Sequence, residues 1–356
     1  MKSKVYFIKV DDRDDLQVRK AKFSYLLDKS NLLDFIDKAK QVVVKMHFGE
    51  DGNTGYVKPE YIRDVCSRII KKQAQPILSD TNTLYRGRRL TCEDHLQLAY
   101  EYGFTKEATG TDLLIPDDKK EDGTTEVSIN QKFIKIAKIA TLFCQADAIV
   151  GIAHFKGHIM TGFGGALKNL GMGCASRNGK LMQHSEVSPF VIIDNCTGCA
   201  ACEKVCPAQA ILIIDKKSRI DATKCIGCAS CIAACKYNAI DVNWEAGGIN
   251  IQEKLAEYAK AVLLGKEKKA AFINFAVKIT KECDCLAKDD PKISPDVGIL
   301  ASYDPVSIDK ASYDLVVKAC GKDIFKQEHP KRDALKQLHH AAGIGLGSLE
   351  YELVEI

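Results

Sequence analysis

The sequence predicts a discontinuous α/β domain interrupted by a compact cysteine-rich insertion, and three observations carry that prediction. Short β-branched runs alternate with longer helical patterns over residues 1–187, a dense cysteine segment occupies 188–246, and the same alternation resumes over 247–356. The last segment is expected to complete the first sheet, so the cysteine-rich stretch separates two parts of one domain. A chain of 356 residues has ample material for a buried core.

The elements follow in order. Val42-Val-Val-Lys-Met-His47 reads as a buried strand, and after it come a glycine-rich turn (Gly49, Gly52, Gly55) and a helix from about Pro59 to Lys72. Pro76-Ile-Leu-Ser-Asp80 is the next strand, with Asp80-Thr-Asn-Thr83 at its carboxyl end, where open α/β sheets place ligands. A helix over about Gln131 to Gln145 is expected to lead into the strand Asp147 to His154. Beyond the insertion, a helix near Ile251 to Leu264 precedes strands at Ala270 to Ala276 and Val297 to Ala301. Gly343-Ile-Gly-Leu-Gly347 comes too near the end to open a dinucleotide-binding unit and reads as a loop.

Composition removes several classes of function. The 51 basic and 47 acidic side chains give no strong single-sign field, so neither nucleic acid nor anionic lipid is singled out as a partner. Apolar residues at 46%, charged residues at 28% and only 9 prolines exclude a disordered or collagen-like chain. No stretch approaches the roughly 18–20 apolar residues that cross a bilayer. The early apolar run Val5-Tyr-Phe-Ile8 breaks off at Lys9 and the cluster Asp11-Asp-Arg-Asp-Asp15. No membrane span and no leader peptide are expected, and a cytoplasmic location with reduced thiols follows.

Eight of the 15 cysteines lie between Cys196 and Cys235. A disulfide-stapled secreted fold would be shorter and would spread them more evenly. Cys196-Thr-Gly-Cys199-Ala-Ala-Cys202-Glu-Lys-Val-Cys206 recurs 29 positions later as Cys225-Ile-Gly-Cys228-Ala-Ser-Cys231-Ile-Ala-Ala-Cys235. Three thiolates at steps of three wrap one corner of an iron–sulfur cubane, and the distant fourth ligates the other cluster. By that rule Cys196, Cys199, Cys202 and Cys235 hold one [4Fe-4S] cluster, and Cys225, Cys228, Cys231 and Cys206 hold a second. Zinc, the alternative, pairs two Cys-x-x-Cys hairpins and leaves the remaining cysteines unexplained. The segment resembles bacterial-type two-cluster ferredoxins, except that Cys235-Lys236 stands where that family usually has Cys-Pro. The resemblance implies an α+β unit that takes electrons singly from a redox partner protein. Residues 190–245 carry six basic and six acidic side chains, a balance suited to passing electrons within the chain.

The densest polar motif leaves the strand ending near Ala153: His154-Phe-Lys-Gly-His158-Ile-Met-Thr-Gly-Phe-Gly-Gly165-Ala-Leu-Lys168. Gly162, Gly164 and Gly165 precede a stretch able to begin a helix, so their amides and Lys168 are candidate binders of an anionic cofactor or substrate. Close chain packing around ordinary histidines is the plainer reading of the same residues. This block, with His47-Phe-Gly-Glu-Asp-Gly-Asn-Thr-Gly-Tyr56 and Asp80-Thr-Asn-Thr-Leu-Tyr-Arg-Gly-Arg88, looks like the signature of domain-of-unknown-function family 362. Members of that family frequently carry an inserted two-cluster ferredoxin unit. His158, Lys168 and His184, with Gly-Phe-Gly-Gly between the first two, are also similar to a block in nickel-pincer lactate racemases. That likeness implies Lys168 as a cofactor attachment point, His184 as a metal ligand and His158 as a general acid or base.

Further candidates surround this motif. Cys283-Asp-Cys285 is too tight for an unstrained disulfide and reads as a metal-ligating pair or as plain thiols. His47 with Glu50, and Arg86, Arg88 and Arg89 with Lys156, would give a cleft a positive wall suited to carboxylate or phosphate. Cys66, Cys92, Cys144 and Cys320 read as core residues, Cys174 as a neighbour of the site, and His339 and His340 as solvated. The expected function is that of an iron–sulfur redox protein whose two clusters feed electrons to a ligand or metal near His154, His158, Lys168 and His184. The alternatives are an electron carrier or assembly partner without its own catalysis, and a pincer-cofactor isomerase with structural clusters.

Overall fold

The β-branched runs pair into one eight-stranded sheet in the computed structural model, which describes residues 2–38, 40–85, 87–116, 123–184, 189–206, 208–225, 230–242 and 250–356. Arg86 and Cys228 lie outside the described residues. Across the sheet the strands are ordered Tyr351–Glu355, Ser3–Lys9, Gly298–Ser302, Ala270–Ala276, Ala148–His154, Gln41–Lys45, Gln75–Ser79 and Asp112–Leu114. Gly298–Ser302 is antiparallel to both neighbours, and every other neighbouring pair is parallel. The three strands that follow the cysteine repeat pair directly with strands that precede it: Ser3–Lys9 lies between two of them, and Ala270–Ala276 lies against Ala148–His154.

Both faces of the sheet are covered at its centre, which is why Gln41–Lys45, Ala148–His154, Ala270–Ala276 and Gly298–Ser302 are nearly continuous apolar runs. Val42 and Val44 enter one core and Val43 the other, as the two-residue period of a strand requires. Helices Leu16–Ser30, Pro59–Lys71 and Cys92–Glu101 pack on the first face, and Ala166–Gly171, Ile251–Leu263, Pro305–Cys320 and Lys336–Gly343 on the second. The chain is thus an α/β fold. Local chemistry sets the helix limits: Asp304 accepts from the amides of Val306 and Ser307 at 2.9 Å, Pro305 occupies the first turn, and Gly321 closes the helix at φ +67°.

Two expectations are corrected. The helix expected over Gln131 to Gln145 is instead a hairpin, Thr124–Ser128 with Ile136–Ala140, followed by the short helix Thr141–Gln145. Ile136-Ala-Lys-Ile-Ala140 suits a helical face as well as a strand, and pairing with Thr124–Ser128 decides between them. His340, expected in solvent, is half-buried with Nε2 3.0 Å from Glu257 Oε1. Among the described residues no helix is long and apolar enough to cross a membrane.

Candidate functional site

The parallel strands deliver their carboxyl ends to one edge of the sheet, where crossovers to helices leave a crevice. Gln41–Lys45 ends beside His47, Gln75–Ser79 beside Asp80, and Ala148–His154 runs into the hairpin Lys156–His158 with Gly162–Gly164. Phe155 and Phe163 pack at 5.0 Å between ring centroids and anchor that hairpin in the core. The result is a cavity of about 310 Å³. His154, His158, Gly164, Gly165, Lys168 and His184, which the sequence singles out, all line it. Gly162 does not; it supplies a positive φ of +79° against Ala334, with whose Cβ an added methyl would collide at 2.6 Å.

Five cations, Lys45, Arg89, Lys156, Lys168 and Lys180, line the cavity together with one carboxylate, Asp80. Behind them the buried network is ordered: Lys45 lies 3.0 Å from Asp80, Arg89 3.2 Å from Glu50 and 3.5 Å from Asp80, and Lys156 3.1 Å from Asp284. Burial alone would raise the Asp80 carboxyl, but the positive charges of Lys45 and Arg89 hold it well below the usual carboxylate range. Asp284 follows the same logic, with His154 and Lys156 outweighing its burial. Asp80, Glu50 and Asp284 thus pair with three of the five cations, and the small positive excess that remains favours an anionic ligand.

The histidines divide by geometry. His154 Nδ1 lies 2.9 Å from Asp284 and its Nε2 faces the carbonyls of Val277 and Lys278 at 3.0 and 3.2 Å, so both nitrogens are committed to holding the 277–284 segment. His154 is therefore a positioning residue. Burial, then Lys168 and His184, depress the His158 pKa well below its ordinary value, and burial with Lys168 and Lys180 brings His184 to about 3. His47 is depressed likewise by burial and Arg89; its Nδ1 accepts from the Gly49 amide at 2.9 Å, and its Nε2 has no hydrogen-bond partner among the described residues. Neutral imidazoles of this kind can accept a proton or ligate a metal.

Lys168 Nζ lies 3.1 Å from Cys283 Sγ. Burial would lower the lysine, but the Cys283 and Cys285 sulfurs raise it. The Cys285 thiol, outweighing burial and helped by Lys168 and Lys156, pulls Cys283 well below the ordinary thiol range. The first amides of the Ala166–Gly171 helix do not face a ligand: Asp309 accepts from Ala166 N at 2.7 Å and Leu167 N at 2.9 Å. A methyl at Gly165 would meet Asp309 Oδ1 at 2.3 Å, so that glycine makes room for a carboxylate of the chain itself. Arg88 is turned away and pairs with Glu101, and Cys174 is buried outside the cavity lining.

In the cysteine repeat, Cys196, Cys199, Cys202 and Cys235 line a second, smaller cavity together with Ser218. Amide donors face the sulfurs: Ser218 N to Cys196, Ala210 N to Cys206 and Ala239 N to Cys235, each at 3.3 Å. Cys225 and Cys231 are described and Cys228 is not. The buried core of this unit includes Leu84 and Leu181 beside Cys196, Cys202 and Cys235. Leu84 also lines the large cavity, and Leu181 follows Lys180 on the helix Arg177–His184.

Sequence reading missed Lys45, Lys180 and Asp309. A lysine inside the apolar run Val42-Val-Val-Lys45 was the one available signal, since a buried lysine demands a partner.

A family model described as a domain of unknown function (DUF362) matches residues 42–314. No curated protein matches the chain. Among solved structures it is similar to a protein from Thermotoga maritima, at 12% identity and a TM-score of 0.41, over 88% of this chain and 60% of that one. It is also similar to the lactate racemase apoprotein from Thermoanaerobacterium thermosaccharolyticum, at 13% identity and a TM-score of 0.37, over 76% of this chain and 50% of that one. The chain thus spans 60% and 50% of the lengths of these two structures.

Proposed function

We propose, from the premise that this chain belongs to the DUF362 family, that it is an iron–sulfur redox protein that delivers electrons to a small anionic ligand in the cationic cavity. The observation that carries the reading is Leu84, which is at once a wall of that cavity and part of the core around Cys196, Cys202 and Cys235. The wall of the site and the core of the cysteine unit thus share a side chain.

The thiols fit the group. Cys196, Cys199, Cys202 and Cys235 share one cavity, and amide donors at 3.3 Å are directed at Cys196 and Cys235, as sulfur ligands to a cluster require. In this reading they hold one [4Fe-4S] cluster, and Cys225, Cys228, Cys231 and Cys206 hold the other, within an inserted ferredoxin-like domain over 188–246. Bound clusters would supply one-electron transfer. The chain's own residues do the rest: Arg89, Lys156 and Lys180 bring positive charge to the cavity wall that attracts an anion, the apolar core limits water, and His158 and His184, held neutral, keep further positive charge out of the site. A redox partner protein would meet the cysteine unit by short-range contact, favoured by exposed Phe190, Leu212 and Tyr237. A cytoplasmic location suits reduced thiols.

Anaerobic purification with iron and sulfide analysis tests this. About eight irons and eight acid-labile sulfides per chain are expected from two four-iron clusters, with a cluster signal that appears on one-electron reduction. Zinc without sulfide sinks the reading. A second reading, a pincer-cofactor isomerase, is favoured by His158, Lys168 and His184 lining the same cavity. It requires an intact-mass adduct on Lys168 that is lost in Lys168→Ala.

A further inference from the structure

We infer that His158, Cys283 and Cys285 bind a thiophilic divalent metal ion, leaving one coordination position open to the cavity for an anionic oxygen ligand. An imidazole nitrogen and the two sulfurs lie within 4.8 Å of one another. Three protein ligands with an open fourth position is the arrangement of catalytic zinc sites, and a Cys₂His set suits zinc-like ions.

The loop is built to present these sulfurs. Asp284, between the two cysteines, is 1% exposed and is held by His154 at 2.9 Å and Lys156 at 3.1 Å, while its carbonyl accepts from the Glu50 amide at 2.9 Å. With the middle residue pinned, the flanking thiols are fixed: Cys283 Sγ accepts from the Cys285 amide at 3.4 Å and from Lys168 Nζ at 3.1 Å. Cys285, His158 and Lys168 line the cavity, so an ion held there would face it. Two thiolates neutralise a dication, and Lys168 remains as an outer partner that orients Cys283.

Of the two His158 nitrogens, Nε2 is assigned to the ion. Nδ1 accepts from the Met160 and Thr161 amides at 3.2 Å and lies 2.9 Å from Thr161 Oγ1. Thr161 Oγ1 donates to the Phe163 carbonyl at 2.7 Å and can accept from Nδ1–H. Metal binding selects that tautomer, keeping the short hydroxyl contact at the expense of the two longer amide contacts, and leaves the Nε2 lone pair for the ion.

The inference does not depend on the clusters, and one sample separates the two. Full-length protein is purified anaerobically, equilibrated with zinc as the probe, desalted, and assayed for zinc, iron and sulfide, with X-ray absorption at the zinc edge. The expected result is about one retained zinc per chain with a shell of sulfur and nitrogen near a 2:1 ratio. Cys283→Ser, Cys285→Ser and His158→Ala should each reduce retained zinc roughly tenfold or more, and Cys320→Ser should retain it. No retained zinc, a shell of sulfur only, or equal retention in the three variants overturns the inference. The absorption shell of the unmodified protein decides the matter even where a variant fails to fold. Zinc in this shell without iron or sulfide upholds the site and removes the cluster reading; iron and sulfide without zinc does the reverse.

Discussion

Replacing Asp80 by asparagine removes one charge from a network that water does not reach. Asp80 is 2% exposed and Lys45 1%, with 3.0 Å between their charged atoms. After the change Arg89 still has Glu50 at 3.2 Å, but Lys45 keeps only neutral acceptors, Met46 O at 2.9 Å and Asn169 Oδ1 at 2.8 Å. At an effective dielectric of about 20, the lost attraction is about 5 kcal/mol. Mutational experience with buried pairs stripped of one partner gives about 3–5 kcal/mol, and the asparagine oxygen still accepting from Lys45 favours the lower end. Lys278 and Asp289 form a control at the same 3.0 Å with side chains 35% and 45% exposed. Asp289→Asn should cost under about 1 kcal/mol. Urea denaturation of both variants, of Lys45→Met and of Lys45→Met/Asp80→Asn provides the assay. The double variant should cost less than the sum of its singles by roughly 1–3 kcal/mol. Because the Asp80 pKa is depressed, its contribution is present above the unfolded value near pH 4 and is lost only as pH falls below it. The difference should therefore be constant between pH 6 and 8. If Asp80→Asn costs no more than Asp289→Asn, the buried network does not organise the site.

Three more predictions follow from the same geometry. Gly165→Ala places a methyl 2.3 Å from Asp309 Oδ1 and 2.9 Å from the Phe155 ring, so a loss of about 1–3 kcal/mol is expected in the same denaturation assay, and unchanged stability would contradict the Asp309 cap. Burial raises Asp309 to about 6, so its contribution is full below pH 4 and falls by about 3 kcal/mol as pH rises through 6; the stability gap between wild type and Asp309→Asn should change by that amount between pH 4 and 7.5, and a flat gap would count against the shift. Leu181, 3% exposed in the core shared with the cysteine unit, should lose about 2–5 kcal/mol of packing as Leu181→Ala. Hydrogen exchange should then rise across 189–242 and not in the strand Ala148–His154; equal rises in both would show that the leucine does not dock that unit specifically.

The inner strands Gln41–Lys45, Ala148–His154, Ala270–Ala276 and Gly298–Ser302 were legible because they are buried along nearly their whole length and so read as apolar runs, whereas the more exposed Ser3–Lys9, Asp112–Leu114 and Tyr351–Glu355 were not read as strands. The hairpin ending at Ala140 was not legible either, because Ile136-Ala-Lys-Ile-Ala140 fits two periods and the partner that decides lies in Thr124–Ser128. In the site, His154, His158 and Lys168 were visible as a local cluster, but their roles were not. His154 is committed at both nitrogens by residues over 120 positions away, and the glycine nest is closed by Asp309 from 143 positions away. Residue types in one segment propose chemistry; contacts that long decide which atoms remain free to perform it.

For the proposed function, the position of the cysteine repeat bears on coupling. Among the described residues, no strand of the eight-stranded sheet comes from between the helix Arg177–His184 and the helix Ile251–Leu263. His184, Ile251 and Leu255 all line the cavity, so both ends of that stretch lie at its wall. Closing a longer loop between fixed ends adds only about 0.6 kcal/mol per doubling of length, and neither end interrupts a strand of the sheet. An insertion elsewhere on the surface would be tolerated as well by the fold, but it would not bring Leu84 and Leu181 into the same core as Cys196 and Cys202. The balance of six basic and six acidic side chains over 190–245 fits that placement. A free carrier relies on long-range charge to find its acceptor; under the proposed function, a unit joined at both ends to the wall of the cavity would have no need of it.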